Sequence, residues 1–233
     1  MDVKNSVVLI TGANRGLGLA FARALLAAGA KKVYTGARRP ETIVMSGAIP
    51  VKLDVTSSDD ITRVARELTD VTLLINNAGI AEGSNFLDAD SAAKAKRELD
   101  VNVFGPLELS KAFAPVLAKN GGGTIVNILS ILSWLNLPGW STYSLSKAAA
   151  WSLTNGLRNE LKGQGTQVVA VHVAYMDTDM TRGVQVAKVN PDDVVRQTLE
   201  AIANNESEVI ADGLTAQVQQ GLGSGVYLGI PGG

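Results

Sequence analysis

Val7-Val8-Leu9-Ile10-Thr11-Gly12-Ala13-Asn14-Arg15-Gly16-Leu17-Gly18 passes from a β-branched apolar run through a glycine-rich turn into a helical pattern. The apolar run closed by Thr11-Gly12 reads as a buried strand and its turn. Leu19, Phe21, Leu25 and Leu26 then recur at helical spacing to about Ala28, and Gly29 is placed to stop the helix. Glycines between a strand and a helix let the backbone approach a diphosphate, whose charge the helix amino end favours. The spacing is Gly-x-x-x-Gly-x-Gly, not the commoner Gly-x-Gly-x-x-Gly. A glycine cluster by itself is a weak signal. Its place in a strand-turn-helix unit makes Gly12, Asn14, Arg15, Gly16, Leu17 and Gly18 candidate nucleotide contacts.

Outward from this stretch, strand and helix patterns alternate. Lys32 to Thr35 reads as a second strand, Pro50 to Asp54 as a third and Val71 to Ile75 as a fourth. Between the last two, Ser57-Ser58-Asp59-Asp60 opens a helix with a capping signature and acids in its first turn. A long helical region covers about Ser91 to Ala118, and Gly105-Pro106 and Pro115 predict a kink or break within it. After the turn Asn120-Gly121-Gly122-Gly123, Thr124 to Leu129 is strand five. A helix follows from Tyr143 to about Lys162, then strand six from Gln167 to Val173. Asn190-Pro191 starts a helix reaching about Ala203, and Glu208 to Ile210 is a short seventh strand. No repeat and no Pro, Gly or Ser-rich linker divides the chain. The pattern predicts a single α/β domain over residues 1–233, a doubly wound parallel sheet of about seven strands with helices on both faces. Residues 212–233 read as a glycine-rich extension. Ligands in such folds bind beyond the carboxyl ends of the strands.

Composition removes several classes of function. The 233 residues are 46% hydrophobic and 18% charged, enough apolar material for a sizeable core. Net charge is −1 with no block of like charges, which argues against nucleic acid and anionic membrane partners. With no cysteine there are no disulfides, thiolate nucleophiles or cysteine metal sites. A single histidine, His172, excludes a metal site of several imidazoles, and its apolar surroundings mark it as a structural strand residue. The first apolar run, Val7 to Ile10, is too short for a signal peptide or membrane span, so a cytoplasmic protein is expected.

Two further stretches bear on chemistry. About twenty residues past the glycine loop, an acidic residue would hold ribose hydroxyls, whereas arginine accommodates a 2′-phosphate. Ala37-Arg38-Arg39 stands there with no acid, which points to NADP through Arg38, against the plainer reading of a solvated basic turn. In Ser141-Thr142-Tyr143-Ser144-Leu145-Ser146-Lys147, helical spacing puts the Tyr143 phenol and the Lys147 ammonium on one face. A fixed cation favours a phenolate, so Lys147 is expected to lower the Tyr143 pKa from its ordinary value of about 10. Alone, such a pair is more often a surface contact. The Ser144-x-x-Lys147 string, known from acyl-serine chemistry, lacks its Ser-Asp-Asn and Lys-Thr-Gly companions.

Four motifs occur together in order: the Thr11 to Gly18 loop, Asn76-Asn77-Ala78-Gly79, Asn102-Val103-Phe104-Gly105, and Ser130 followed by Tyr143-x-x-x-Lys147. In this the chain resembles the short-chain dehydrogenase/reductase family over most of its length. The resemblance implies a Rossmann-like fold and an oxidoreductase using a nicotinamide cofactor, here NADP(H). It implies that Tyr143 is the general acid in carbonyl reduction, that Lys147 lowers its pKa and holds the nicotinamide ribose, and that Ser130 binds the substrate oxygen. It gives Asn102 a water in a proton relay, and Asp54-Val55 and Asn77-Ala78-Gly79 contacts to the cofactor.

The resemblance is less complete elsewhere. Where the family has Pro-Gly after strand six, this chain has Val173-Ala174, while Thr178 keeps the place of the carboxamide contact. Ser133 is a second serine able to face the pocket. Trp134, Leu135, Leu137, Trp140, Tyr175 and Met180 flank the catalytic positions and are candidates for the substrate pocket or for packing. The short stretch between Thr178 and Asn190 predicts an open site. The expected partner is a small, neutral, hydrophobic carbonyl or its alcohol, in a reversible reaction with no metal. The family's habit implies a homotetramer or homodimer through the helices near Ser91 and Tyr143, with Ala148-Ala149-Ala150 as a close-packing face. The alternative to an enzyme is a sensor that binds NADP(H) without turnover.

Overall fold

A computed structural model of the chain describes residues 3–228. Seven strands, β1 (Val7–Thr11), β2 (Lys32–Ala37), β3 (Ala48–Lys52), β4 (Leu73–Asn76), β5 (Thr124–Ile128), β6 (Gln167–His172) and β7 (Glu208–Ile210), form one sheet. Its order is β3-β2-β1-β4-β5-β6-β7, and every neighbouring pair is parallel. The helices are α1 (Gly16–Ala27), α2 (Ser58–Glu67), α3 (Ser91–Leu99), α4 (Gly105–Lys119), α5 (Ser141–Leu161), α6 (Pro191–Ala203) and α7 (Gly213–Gly221). The chain winds one way from β1 to β3 and then crosses to lay β4 on the other side of β1. That reversal opens a crevice at the carboxyl ends of β1 and β4.

The strand period of two divides the core between the faces. Val8 and Ile10 of β1 pack with Phe21 and Leu25 of α1 and Val194 and Ile202 of α6. Val7 and Leu9 turn the other way, onto Ile61 of α2, Leu109 and Phe113 of α4 and Leu157 of α5. Each large apolar side chain buried this way contributes roughly 1.5–3 kcal/mol. Side-chain caps start α2 and α6, where Ser57 and Asn190 accept from Asp60 N and Asp192 N.

The departures from expectation have physical causes. β2 runs on to Ala37, which places Arg38 at the strand's end, and β3 stops at Lys52, which leaves Asp54 in the following turn. The helical region after Ser91 opens earlier than Gly105-Pro106, as a π-turn over Asp100–Phe104. Pro106 then sits in the first turn of α4, where a missing N–H costs no helical bond. The break expected at Pro115 does not occur: the residue is exposed and α4 continues to Lys119. The stretch read as a glycine-rich extension contains a helix, α7, capped by the Asp212 carboxylate accepting from Thr215 N. Met1-Asp2 and the end of the tail, residues 229–233, lie outside the described residues. Among the described residues, no helix is long and apolar enough to cross a membrane.

Candidate active site

The glycine loop is clamped to the end of β4. Thr11 Oγ1 accepts from Asn77 N at 3.0 Å and Ala78 N at 2.9 Å, and Asn77 Nδ2 donates to Thr11 O at 2.8 Å and Gly12 O at 3.2 Å. This leaves no room for side chains on the inner glycines. A Cβ on Gly12, at φ +65°, would stand 3.0 Å from Ala78 Cα, and one on Gly18 would stand 2.5 Å from Asn77 Nδ2. Gly16 takes φ +53°, and α1 begins with no side-chain cap on its amino end. Uncapped N–H groups above a glycine cradle suit a diphosphate. The residues present therefore fit a dinucleotide. Asn77 is spent on holding the loop, while Asn14 and Arg15 lie exposed on its rim.

Arg38 is exposed and makes no hydrogen bond or ion pair among the described residues. Arg15 stands across the loop from the segment after β6, with its guanidinium 3.5 Å from Asp179. Thr178 lies against Gly16, where a Cβ would meet Thr178 Cγ2 at 3.5 Å. An open cleft of about 460 Å³ follows, between Gly16 and the 177–188 segment. Asp54 closes a turn by accepting from Thr56 N at 3.0 Å and Thr56 Oγ1 at 2.8 Å. Val55 is buried against Gly105. Leu17 belongs to the core below α1.

The catalytic candidates converge at the carboxyl end of β5. Ser130 opens a short turn, Ile131–Ser133, and its Oγ accepts from Leu132 N at 3.1 Å, which leaves its O–H free to donate. Lys147 is buried, and its Nζ donates to Ile128 O at 2.8 Å while standing 5.6 Å from the Tyr143 ring centre. Asn102 occupies the π-turn, a distortion common at functional sites. Its Oδ1 accepts from Ile80 N and its Nδ2 donates to Ile80 O and Ser146 Oγ, all at 2.9 Å. Gly79 has to be small here: a Cβ would lie 3.2 Å from Asn102 Oδ1 and 4.0 Å from Lys147 Nζ.

Electrostatics corrects one expectation. The Tyr143 phenol is pushed above its ordinary value, first by burial and next by the Glu98 carboxylate, with a hydrogen bond to Ser130 acting the other way. Lys147 does not pull it down, because burial costs the ammonium too and lowers Lys147 to about 8. The protein alone thus presents a neutral phenol, the form a proton donor needs.

The pocket candidates separate into two groups. Leu135, Leu137 and Trp140 gather with Tyr143 around Ile131, Leu132 and Val218, joined by Ala174 and Val226. Trp134 also touches this cluster, but its ring stacks on His172 at 4.1 Å and meets Trp151 edge-on at 6.2 Å. Ser133 turns back onto Ser130, its Oγ accepting from Ser130 N at 3.4 Å, as a cap. Tyr175 and Met180 stand apart from the cluster, and Met180 is exposed on the turn Asp179–Thr181. His172 ends β6 fully buried. Ala150 is likewise in the core rather than on an outer face, while Ala148 is exposed.

The sequence reading missed the contributions of Val218 and Val226 from the C-terminal region, and of Asp212. The Asp212 carboxylate accepts from Ala174 N at 2.8 Å, and so fixes the loop that lacks Pro-Gly. It also missed Ser146 and Glu98, although Glu98 precedes Asn102 by one helical turn and that spacing was visible.

Comparison with known proteins agrees with the fold. A family model described as short chain dehydrogenase matches residues 6–188. A short chain dehydrogenase from Burkholderia cenocepacia, solved in complex with NADP, is 38% identical, with a TM-score of 0.92 over 97% of this chain and 95% of that one. A bulky-bulky ketone specific alcohol dehydrogenase from Comamonas testosteroni is 26% identical, with a TM-score of 0.79 over 95% of each chain. A 3-oxoacyl-[acyl-carrier-protein] reductase from Synechocystis is 29% identical over 93% of this chain and 96% of its own. The chain belongs to the short-chain dehydrogenase family of oxidoreductases.

Proposed function

We propose that this protein reduces a small, neutral, hydrophobic ketone or aldehyde to its alcohol with NADPH. The observation that carries the reading is the convergence of Ser130, a neutral Tyr143 and buried Lys147 beside a glycine cradle whose rim holds Arg15 and Arg38. NADPH, when bound, supplies the hydride. Ser130 donates to the carbonyl oxygen, and Tyr143 gives that oxygen its proton as charge develops there. Lys147, held by Ile128 O, keeps two further donors for a ribose hydroxyl and for the phenolate that remains. Asn102 keeps the Ile80 backbone and α5 in register beside that ammonium.

The cofactor assignment is supported by Arg38, without a partner among the described residues at the end of β2, and by the NADP bound to the Burkholderia relative. The apolar wall of Leu135, Leu137 and Trp140 supports a neutral substrate. The exposed Phe104, on the π-turn that follows α3, and Leu145, on α5, support self-association through this face. The test is incubation with NADPH and a panel of aryl and alkyl ketones, followed at the nicotinamide absorbance. Turnover of at least one carbonyl is expected. NADPH binding without turnover of any would replace this reading with that of a sensor.

A further inference from the structure

Trp140 stands three residues before Tyr143, with its ring 6.3 Å from the phenol ring at 72°, in the apolar cluster that walls the site. It occupies the cap position of α5, a helix that starts with no side-chain cap. Its seat comes from elsewhere in the chain, the segment 82–85 between β4 and α3. Ser84 O accepts from Thr142 N at 3.3 Å, which gives one of the free N–H groups of α5 a partner. Asn85 Oδ1 accepts from Gly139 N at 2.7 Å. Beside these bonds lies Gly83, with its backbone at φ +66°. A Cβ on Gly83 would stand 3.2 Å from Gly139 O, and 3.9 and 4.0 Å from Cζ3 and Cε3 of the Trp140 indole. The edge of the indole thus rests on a bare stretch of backbone.

The segment itself is held firmly from the side of α3. Glu82 N donates to the buried Glu98 Oε1 at 2.8 Å, Arg97 engages both oxygens of the Glu82 carboxylate, and Lys94 Nζ donates to Gly83 O at 3.3 Å. Asp88 accepts from Ser84 Oγ at 3.0 Å and from Asn85 N at 2.8 Å. Gly139 has open space around its own Cβ position. Volume added at position 83 is therefore absorbed by Gly139 and the indole, not by the segment. We propose that Gly83 is a positioning residue that sets how large a carbonyl substituent the site admits, by leaving the Trp140 indole room to stand back from Tyr143. This rests on the reading of Trp140 as a wall of the substrate site. One methyl group in an apolar pocket changes discrimination between substrates by roughly 10- to 200-fold. At position 83 it acts twice, since it crowds Gly139 O and since a positive φ disfavours any side chain. Both push Gly139 and Trp140 off their seat, toward the phenol. Larger ketones then lose their room before small ones do.

The experiment measures kcat/KM with NADPH for the smallest and the largest ketone that the wild type reduces, and takes their ratio. Gly83→Ala moves the ratio toward the smaller ketone by about tenfold or more. In a Trp140→Ala background the same substitution leaves the ratio where Trp140→Ala alone puts it, because the two residues act as one unit. An unchanged ratio, with both ketones slowed equally and the melting temperature lowered, is a merely structural effect and overturns the proposal. So does a shift that persists without Trp140. If Gly83→Ala does not fold, Asn85→Ala on the exposed side of the segment frees Gly139 N, loosens the indole and moves the ratio toward the larger ketone. No movement there overturns the proposal equally. Fluorescence gives a readout independent of turnover: with Trp134→Phe and Trp151→Phe, Trp140 is the only tryptophan left. Adding Gly83→Ala to that chain shifts the emission and its quenching by acrylamide. If the wild type reduces no carbonyl, the reading of the active site fails, while an unshifted emission removes the seat of Trp140 on Gly83.

Discussion

Asn102 on the π-turn and Ser146 on α5 are joined side chain to side chain at 2.9 Å, while the same amide closes on both the N–H and the carbonyl of Ile80. One side chain thus binds three segments around Lys147. Asn102→Ala leaves the Ile80 groups and the Ser146 hydroxyl short of partners in a buried place, and should cost roughly 2–4 kcal/mol. Urea unfolding measures that loss. Ketone reduction should fall with it, since the Ile80 segment and α5, which carries Lys147, lose the tie between them.

Tyr143→Phe keeps the ring and removes the proton. Reduction should drop by about 10²- to 10⁴-fold, the range expected for loss of a general acid. NADPH affinity, followed by fluorescence titration, should change little. Retained turnover would remove Tyr143 as the acid.

Arg38→Asp places a carboxylate where the 2′-phosphate is expected. One arginine-phosphate contact is worth on the order of 4 kcal/mol before desolvation, so a net fall in NADPH preference of roughly 10- to 100-fold over NADH is expected. Because Arg38 is exposed and unpartnered among the described residues, the melting temperature should stay the same. An unchanged cofactor preference would mean that Arg38 does not read the phosphate.

His172 predicts a pH dependence of stability. Its pKa in the folded protein is lowered to about 4, mainly by burial, below the ordinary value of 6.5. Between those values the unfolded chain binds more protons than the folded one, so stability rises with pH across that window and is lost on acidification. The full effect is roughly 3 kcal/mol. In His172→Asn, whose amide can still reach the Ser130 carbonyl, the slope between pH 6.5 and 4 should flatten relative to the wild type. Equal slopes in urea titrations would assign the acid sensitivity to other groups.

Much of the fold was legible because strand β1 and the turn after it carry their signal in consecutive residues: four apolar side chains, a threonine and then a glycine. Ser130, Tyr143 and Lys147 were legible for a related reason, since their spacing is set within one strand-turn-helix unit. What escaped depended on distant contacts. Helix α7 buries only Thr215 and Val218 and has glycine at both ends, so its sequence carries no apolar stripe. Glu98 stands in Lys94-Ala95-Lys96-Arg97-Glu98, which reads as a solvated helix face, and only the packing of α3 on α5 buries it. The expected lowering of the Tyr143 pKa failed similarly: spacing gives the cation but not the cost of taking both groups out of water.

The Asp212 carboxylate has a consequence for how the protein is made. The loop after β6 owes its anchoring to a residue thirty-eight positions further on, through Ala174 N. During synthesis from the amino end, β1 to β6 can pair and the glycine loop can clamp onto β4 before Asp212 has left the ribosome. The far wall of the cleft cannot set until it has. A nascent chain would therefore pair β1 to β6 first and finish the cleft only once Asp212 has emerged.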